Sequence, residues 1–486
     1  MKNYALILFL FSSIFFNKNT AISVQNAPIK PNVLYILVDQ WRAQATGYSG
    51  DKNVICPNLD QLASESVNVK NAVSGMPVCT PHRASLMTGQ YPLTNGVFMN
   101  DVLLDTNNTT LAKVFAQNNY ATGFVGKWHI DGHGRNTYIP PTRRQGFDYW
   151  KTLECTHDYN HSPYYAGDIN KKLFWEGYDV IAQTNDVCTY MAKQAKESQP
   201  FLLFLSIGSP HDPYQTAPEK YRKMYENNNI IVNENVPADK REKVKNDLKG
   251  YYAHISAIDD CIGKMRQTLK DLGIEDNTII VFSSDHGDLL GAHGGWNKQQ
   301  PYEESIRVPF LIHYPQAFGK MGKTSEALLN SPDIMPTLLG LCGISVPKSV
   351  EGVDFSGVLK GIKKDKVKQT LISCVQPFGQ WARQHGGREY RGIVTHQYTY
   401  TRDLNGAWLL FDNIKDPFQM TNLIGNAAFK NVQKDLDKAL NKELLKRKDY
   451  FQPGMTYVKK WYYLVDDTET VPYRKVNYEG KPIVDE

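Results

Sequence analysis

Four short runs of reactive side chains each come directly after an apolar segment that is typical of a buried strand. They are Asp39-Gln40, Lys127-Trp128-His129, His211-Asp212 and Asp285-His286. Side chains of these types can bind a metal ion, neutralise an anion or transfer a proton. Any single run could instead be a turn with a capping Asp or a structural His. Because the chain has only 12 His, the four runs together predict a functional site.

A more specific motif lies at Cys79-Thr80-Pro81-His82-Arg83, which reads Cys-x-Pro-x-Arg at the start of a helix-like segment. A cysteine at a helix N-terminus beside an arginine has a lowered pKa and is reactive. One interpretation is therefore an ordinary cysteine nucleophile. The other is a buried cysteine that packs as a small apolar side chain.

The elements that must position these residues alternate over residues 31–345. Apolar runs predict strands at 31–39, 120–127, 201–208, 278–285 and 308–315, and amphipathic segments predict helices at 58–66, 110–118, 186–198 and 241–273. This alternation predicts an α/β fold with a large, mostly parallel sheet between layers of helices. Since functional sites of such sheets lie beyond the carboxyl ends of the strands, the four runs are expected to converge there.

The last part of the chain has a different pattern. Residues 346–370 are rich in Pro, Gly and Lys and predict a linker. Beyond it, 390–403 and 407–413 alternate with period two like an antiparallel hairpin, and 431–449 is an amphipathic, surface-docked helix. We therefore expect a catalytic α/β domain over 24–370 and a smaller C-terminal α+β subdomain over 371–486.

The composition of the chain excludes several classes of protein. Of 486 residues, 41% are hydrophobic and 22% charged, which excludes a disordered, collagen-like or coiled-coil chain. A net charge of +5 gives no support for nucleic-acid binding.

The N-terminal segment has the pattern of a signal peptide over 1–23, with Lys2, the apolar run 5–16 and the triplet Ala21-Ile22-Ser23 in that order. The alternative is an uncleaved anchor. We expect an exported protein, periplasmic or secreted, without a membrane span in the mature chain.

The segment CTPHRASLMTGQYP (79–92) resembles the signature of the formylglycine-dependent type I sulfatases, of the alkaline-phosphatase-like superfamily. Six further segments are similar to motifs of that family in the same order: 31–40, 126–129, 209–213, 283–287, 297–312 and 409–423. The resemblance covers most of residues 31–425. It implies an alkaline-phosphatase-like fold and a sulfatase of the bacterial type that acts on glycans.

The resemblance also implies the roles of the catalytic residues. A maturation enzyme would convert Cys79 to formylglycine, whose hydrate supplies one hydroxyl as nucleophile and a second that later expels the sulfate. Arg83 and Lys127 would orient this group, and His129 would assist the expulsion. His211 would protonate the leaving alcohol, and Lys298 would contact the sulfate oxygens.

A single divalent ion is implied at the same place, with ligands Asp39, Gln40, Cys79, Asp285 and His286. Oxygen-rich ligands suit a hard cation, so Ca²⁺ is expected. The family often has Asp where Gln40 stands and Asn where His286 stands. Because imidazole is a softer ligand, Mg²⁺ or another ion stays open.

The substrate implied is a sulfated polysaccharide or oligosaccharide, but the sequence does not indicate which sugar it contains. Aromatic and polar residues could contact its rings: His157, Tyr159, Asn160 and His161 in one loop, and His293 and Trp296 in another. A Tyr-rich loop could equally be packed surface. Two other functions stay open, a phosphate or phosphonate monoester hydrolase of the same superfamily and a non-catalytic glycan-binding relative. Of the other six cysteines, Cys188, Cys261 and Cys342 are expected to be buried free thiols.

Overall fold

The computed structural model of the chain describes residue 1 and residues 30–483. The predicted signal peptide, apart from Met1, lies outside the described residues. Within the part described, none of the helices combines the length and the apolar character that crossing a bilayer requires.

A ten-stranded sheet forms the centre of the molecule. Its strands are β1 (Asn32–Asp39), β2 (Val67–Val69), β3 (Ala121–Lys127), β4 (Tyr149–Leu153), β5 (Pro163–Ala166), β6 (Leu173–Phe174), β7 (Phe201–Pro210), β8 (Thr278–Ser284), β9 (Phe310–His313) and β10 (Lys323–Ser325). They lie in the order β10-β2-β9-β8-β1-β7-β3-β4-β5-β6. The five central strands, from β8 to β4, are parallel, whereas β9 and β5 run antiparallel to their neighbours. This arrangement confirms the predicted fold class.

The central strands are apolar along their length because both faces of the sheet are covered. In β1, Tyr35 faces one core together with Phe204, and Leu34 faces the other together with Leu203. All four side chains are inaccessible to solvent. A strand buried on both faces cannot alternate apolar with polar residues, which is why these segments read as continuous apolar runs.

Helices cover both faces of this sheet and one face of the smaller second sheet described below. They are α1 (Pro57–Ser64), α2 (Cys79–Thr88), α3 (Pro92–Asn95), α4 (Leu111–Gln117), α5 (Asp179–Gln194), α6 (Glu219–Lys223), α7 (Arg241–Asp271), α8 (Glu303–Ile306), α9 (Pro315–Phe318), α10 (Ile334–Leu341), α11 (Ser356–Leu359), α12 (Lys430–Lys446) and α13 (Gly454–Lys460). Helices α1, α5 and α7 pack into one core, and α2, α4 and α10 into the other. Helix α5 begins well before the predicted residue 186, because Val180 extends the buried stripe of Val187 and Met191.

A second, antiparallel sheet contains β11 (Gln369–Cys374), β12 (Tyr390–Thr395), β13 (Tyr398–Asp403) and β14 (Gly406–Asp412), in that order. The predicted single hairpin is therefore wrong in extent, since residues 390–403 form two strands. The turn between them is closed by Thr395 Oγ1, which accepts hydrogen bonds from the backbone N–H groups of Gln397 and Tyr398. The predicted subdomain boundary at 370 falls within β11.

The amphipathic helix predicted over 431–449 is α12, and it covers one face of this second sheet. Leu436, Leu440 and Leu444 pack against Ile393 and Tyr400. The spacing of four residues places the three leucines on one side of the helix.

All seven cysteines are free thiols. The prediction is confirmed for Cys261 and Cys342, which are buried, whereas the free Cys188 is half-buried.

Candidate active site

The four reactive runs converge at the carboxyl edge of the large sheet. Asp39 ends β1, Lys127 ends β3, His211 follows β7 and Asp285 follows β8. Because these strands are parallel neighbours, their ends lie side by side. All four side chains are buried.

Unusual backbone conformations determine the direction of several of these side chains. Gln40 and His129 have φ angles of 66° and 57°, in the left-handed region that non-glycine residues rarely adopt. Gly126 has a φ angle of 101°, and a Cβ there would lie 2.1 Å from the carbonyl oxygen of Ser206. Strain of this kind concentrates at functional sites, where neighbouring structure maintains it.

Cys79 lies at the centre of the cluster as the first residue of α2. Its Sγ is 3.1 Å from Lys298 Nζ, 3.2 Å from His286 Nε2 and 3.7 Å from Asp39 Oδ1. Burial and the Asp39 carboxylate oppose ionisation, yet Lys127, Lys298 and His286 hold the pKa of the Cys79 thiol well below its ordinary value. The surroundings therefore favour an anion at residue 79.

Arg83, one turn further along α2, is fully engaged with the protein. It donates to Asp285 Oδ2 from Nε at 3.1 Å and from one terminal nitrogen at 2.9 Å, and to Asp39 Oδ2 at 3.3 Å. Its other terminal nitrogen donates to Ser206 Oγ and to the carbonyl oxygen of Lys127. Arg83 thus compensates two buried carboxylates and sets their orientation.

Lys127 and Lys298 supply the other two positive charges. Lys127 Nζ lies 2.6 Å from Asp39 Oδ2. Lys298 Nζ donates to Gln40 Oε1 at 3.2 Å and to His211 Nε2 at 2.9 Å. Burial opposes the ionisation of Asp39, but the positive charge of Lys127 keeps the pKa of Asp39 well below its ordinary value.

Four side chains form a group that could bind a metal ion. One ligand atom from each of Asp39, Cys79, Asp285 and His286 lies within 4.8 Å of the other three, and all four residues are buried. His286 Nδ1 contacts the Gly287 carbonyl oxygen at 2.9 Å, so Nδ1 carries the proton and Nε2 faces the cluster. Two carboxylates, the nearby Gln40 amide and one imidazole are a donor set that fits a divalent cation.

Two histidines flank Cys79 in different electrostatic surroundings. His129 Nε2 lies 3.4 Å from Asp101 Oδ1; burial opposes the charged ring, but Cys155 and Asp101 raise the pKa of His129 to about 9. Burial and the charge of Lys298 instead lower the pKa of His211 well below its ordinary value. His211 is therefore a neutral acceptor for Lys298, and its Nδ1 donates to the Asp212 carbonyl oxygen.

A cavity of about 480 Å³ opens above Cys79. It is lined by Cys79, Asn100, Asp101, Lys127, His129, Arg135, Cys155, His157, His211, Asp212, Lys298, Phe378, Gly379, Gln380, Thr470 and Tyr473. The sequence contains no motif that marks Asp101, Gln380, Thr470 or Tyr473, because they come from loops far apart along the chain. Arg135 binds Asp101 through two hydrogen bonds of 2.7 Å and lies 3.5 Å from the ring centre of Tyr473.

Of the six predicted substrate-binding residues, His157 lines this cavity, with its ring stacked on His211 at 4.6 Å. Tyr159 is buried behind it and donates to the carbonyl oxygen of His211 at 2.9 Å. It therefore positions the histidine loop. The other four lie outside the cavity wall: Asn160 bonds to Thr216, His161 stacks on Phe174, His293 stacks on Tyr302 and Trp296 bonds to Asp247.

Comparison with known proteins identifies the family. The sulfatase family model matches residues 31–344, and the model of the N-sulphoglucosamine sulphohydrolase C-terminal region matches residues 291–446. An ulvan-active sulfatase of Formosa agariphila is 46% identical over 464 residues, which are 95% of this chain and 90% of that protein. An endo-4-O-sulfatase of Bacteroides thetaiotaomicron is 29% identical over 81% of this chain and 88% of its own length.

Solved structures agree with this result. The sulfatase-family protein YidJ of Bacteroides fragilis superimposes with a TM-score of 0.80 at 28% identity, over 90% of this chain and 99% of that one. The chain therefore belongs to the sulfatase family and is a sulfatase with the alkaline-phosphatase-like fold.

Proposed function

We propose that the protein hydrolyses a sulfate ester on a sulfated carbohydrate, with residue 79 as the nucleophile after its conversion to formylglycine. The observation that carries the proposal is the position of Cys79, whose Sγ faces the cavity between Lys298 and the Asp39 carboxylate. A sulfate ester is an anion with a poor leaving group. Its cleavage needs a nucleophile, positive charge at the sulfur-bound oxygens and a proton donor for the alcohol.

Conversion of residue 79 to formylglycine would supply a second hydroxyl group, which the reaction needs. A hydrated aldehyde offers two hydroxyl groups on one carbon, so one can attack and the other can restore the aldehyde. A thiol or a serine hydroxyl has no second oxygen for that step. Lys127 and Arg83 are already held by Asp39 and Asp285, so they provide a rigid positive wall around the new oxygens.

A divalent ion, which we take to be Ca²⁺ with Mg²⁺ as the alternative, would be held by Asp39, Gln40, Asp285 and His286, together with residue 79. Bound there, the ion supplies positive charge that polarises the ester. An oxygen in place of the Cys79 sulfur makes the ligand set harder and better suited to such an ion. The amide of Gln40 is oriented toward the site, because its Nε2 donates to Asp288 Oδ2 at 2.8 Å and its Oε1 accepts from Lys298 Nζ at 3.2 Å.

Proton transfer falls to the histidines and Lys298. Lys298 donates to His211 Nε2. An anion that enters beside Lys298 competes for that donor, and its negative charge favours protonation of His211, which can then donate to the leaving alcohol. His129 lies on the other side of the cavity, where Asp101, itself fixed by Arg135, favours the charged ring. As an imidazolium it can donate a hydrogen bond to the oxygen of residue 79 that loses its proton, and so assist the expulsion of sulfate.

A sugar is the substrate class that the relatives and the cavity favour. The two relatives named above are an ulvan-active sulfatase and an endo-4-O-sulfatase. The outer wall of the cavity carries Arg135, His157, Gln380 and Tyr473. Aromatic rings and hydrogen-bonding side chains are suited to sugar rings and hydroxyls.

The experiment that tests this function has two arms. Protein from its native host, or co-expressed with a formylglycine-generating enzyme, is digested, and the peptide around residue 79 is weighed by mass spectrometry. The same protein is assayed on a panel of sulfated saccharides, on an aryl sulfate and on an aryl phosphate. We expect the aldehyde at residue 79 and faster hydrolysis of sulfates. An unmodified thiol in active protein, or a preference for the phosphate, would contradict the proposal.

We further propose that the protein acts outside the cytoplasm after removal of residues 1–23. This rests on the sequence pattern of that segment and on the size of sulfated polysaccharides. Fractionation of the host followed by N-terminal sequencing of the mature protein checks it. A cytoplasmic, full-length chain is the result that contradicts it.

A further inference from the structure

A second and larger cavity, of about 650 Å³, lies in another part of the molecule. It is bounded by the loop after β1, the start of α7 and its preceding segment, α8 and the second sheet. It shares no lining residue with the cavity above Cys79. Its volume is within the range of small-ligand sites, roughly 300–1,000 Å³.

The wall of this cavity contains a buried arginine that has no ion-pair partner. Arg42 is 6% exposed. Among the described residues, no carboxylate lies within 4.0 Å of its guanidinium nitrogens, and its Nε has no hydrogen-bond partner. Tyr252 and Tyr251, followed by Glu304 and Asp51, act on its charge only at longer range. Two other cations of the wall are paired: Arg307 with Glu303 at 2.8 Å and Lys70 with Glu326 at 2.7 Å.

Burying a guanidinium costs free energy unless an anion compensates it. Arginine is also the side chain best suited to bind sulfate-like or carboxylate oxygens through two parallel hydrogen bonds. An anion in the cavity would supply what Arg42 lacks. The exposed Lys52 on the same wall adds further positive charge.

Two amide oxygens in the same wall also lack partners. Asn235 Nδ2 donates to Glu304 Oε1 at 2.6 Å, which sets the orientation of the amide and leaves the buried Oδ1 without a donor. The Oε1 atom of Gln44 is buried and unpartnered as well. A free oxyanion has no donor for these atoms, whereas saccharide hydroxyls have.

We propose that this cavity is an accessory binding site for an anionic saccharide unit. Its sulfate or carboxylate group pairs with Arg42, and its hydroxyls donate to Asn235 and Gln44. The site would hold a second part of a charged glycan away from the reacting ester. It takes no part in the chemistry at residue 79, so it can be tested in inactive protein.

The test uses the full-length Cys79→Ala protein, so that no ligand is hydrolysed. Crystals are soaked in selenate, whose anomalous scattering locates the oxyanion. Solution binding is measured by calorimetry with a heparin tetrasaccharide, which carries sulfate and carboxylate groups, and with neutral maltotetraose. We expect selenate within hydrogen-bond distance of Arg42, and a second heparin site in addition to the cavity above residue 79.

Variants assign the second site. Arg42→Gln should abolish the selenate peak and weaken the second heparin site at least about tenfold, as expected for loss of a charge-assisted hydrogen bond. If Arg42→Gln does not fold, Lys52→Ala leaves the core intact and should weaken that site about twofold. Lys171→Ala is the matched control, because Lys171 is an exposed lysine outside both cavities. This variant should change neither the selenate peak nor the affinity of the second heparin site.

Three results would overturn the proposal. The first is selenate only in the cavity above residue 79, or an unchanged selenate peak in Arg42→Gln. The second result is that the additional heparin site keeps its affinity in Arg42→Gln, or in Lys52→Ala where that is the variant used. The third is maltotetraose binding as tightly as heparin, which would show that the anionic group is not recognised.

Discussion

Replacement of Lys298 by methionine separates the catalytic role of this side chain from its structural one. Lys298 Nζ contacts Cys79 Sγ at 3.1 Å, Gln40 Oε1 at 3.2 Å and His211 Nε2 at 2.9 Å, and the residue is 3% exposed. Methionine preserves the length and burial of the side chain but removes the charge and all three contacts. The variant therefore reports on the ammonium group itself.

The magnitude follows from what the ammonium group would do in the reaction. Removing a preorganised donor to developing charge in a buried site costs about 2.7–4 kcal/mol of transition-state stabilisation, or roughly 10²–10³ in kcat. The effect on folding should be small in comparison. Desolvation of the ammonium group opposes folding, and a well-packed apolar side chain removes that cost. We expect the free energy of unfolding to change by less than about 2 kcal/mol.

The assay measures kcat/KM on an aryl sulfate, divided by the fraction of protein that carries formylglycine. Urea denaturation gives the free energy of unfolding. Lys298→Arg keeps the charge and should recover part of the activity. Lys113→Met is the matched control, because the Lys113 ammonium group is also held by protein acceptors, the carbonyl oxygens of Thr106 and Asn108, but lies outside the active-site cavity. A loss of less than tenfold in Lys298→Met, or an equal loss in Lys113→Met, would refute the assigned role.

Three further outcomes are expected. Cys79→Ser should bind substrate but lose multiple turnover, because serine has no second hydroxyl; steady-state kinetics and a binding titration check this, and normal turnover would contradict the formylglycine assignment. Dialysis against EDTA should abolish hydrolysis, since the site then lacks the metal ion that would polarise the ester, and Ca²⁺ should restore it better than Mg²⁺; full activity in metal-free protein would contradict the metal site. Tyr159→Phe should lower the free energy of unfolding by about 1–3 kcal/mol, because the buried carbonyl oxygen of His211 loses its donor. Tyr450→Phe, at a position 75% exposed, should change nothing measurable.

Much of the fold could be predicted because local sequence patterns determine where many of its strands and helices lie. The apolar run of β1 ends on Asp39, and the helix that begins at Cys79 starts where the motif places it. Errors arose where the local signal was incomplete. The turn after Thr395 contains neither Gly nor Pro, so the period-two pattern predicts one strand where the structure has two.

The candidate site was predictable to the extent that its residues end strands or lie in a motif. His293 and Trp296 are close to Lys298 in sequence but do not line the cavity: His293 stacks on Tyr302, and Trp296 donates a hydrogen bond to Asp247. Proximity along the chain was therefore a poor guide. Conversely, Tyr473 reaches the cavity from the C-terminal subdomain although no motif marks it.

The sequence by itself determined the family, the parallel sheet and the set of side chains gathered at its carboxyl edge. These depend on residue type and on periodicity, which act over a few positions. Only the tertiary structure decided which groups share a cavity, how Arg83 and Lys127 are paired, and that Arg42 is buried without a nearby carboxylate. The physical reason is that burial and electrostatic pairing depend on segments hundreds of residues apart, whose approach no local pattern records.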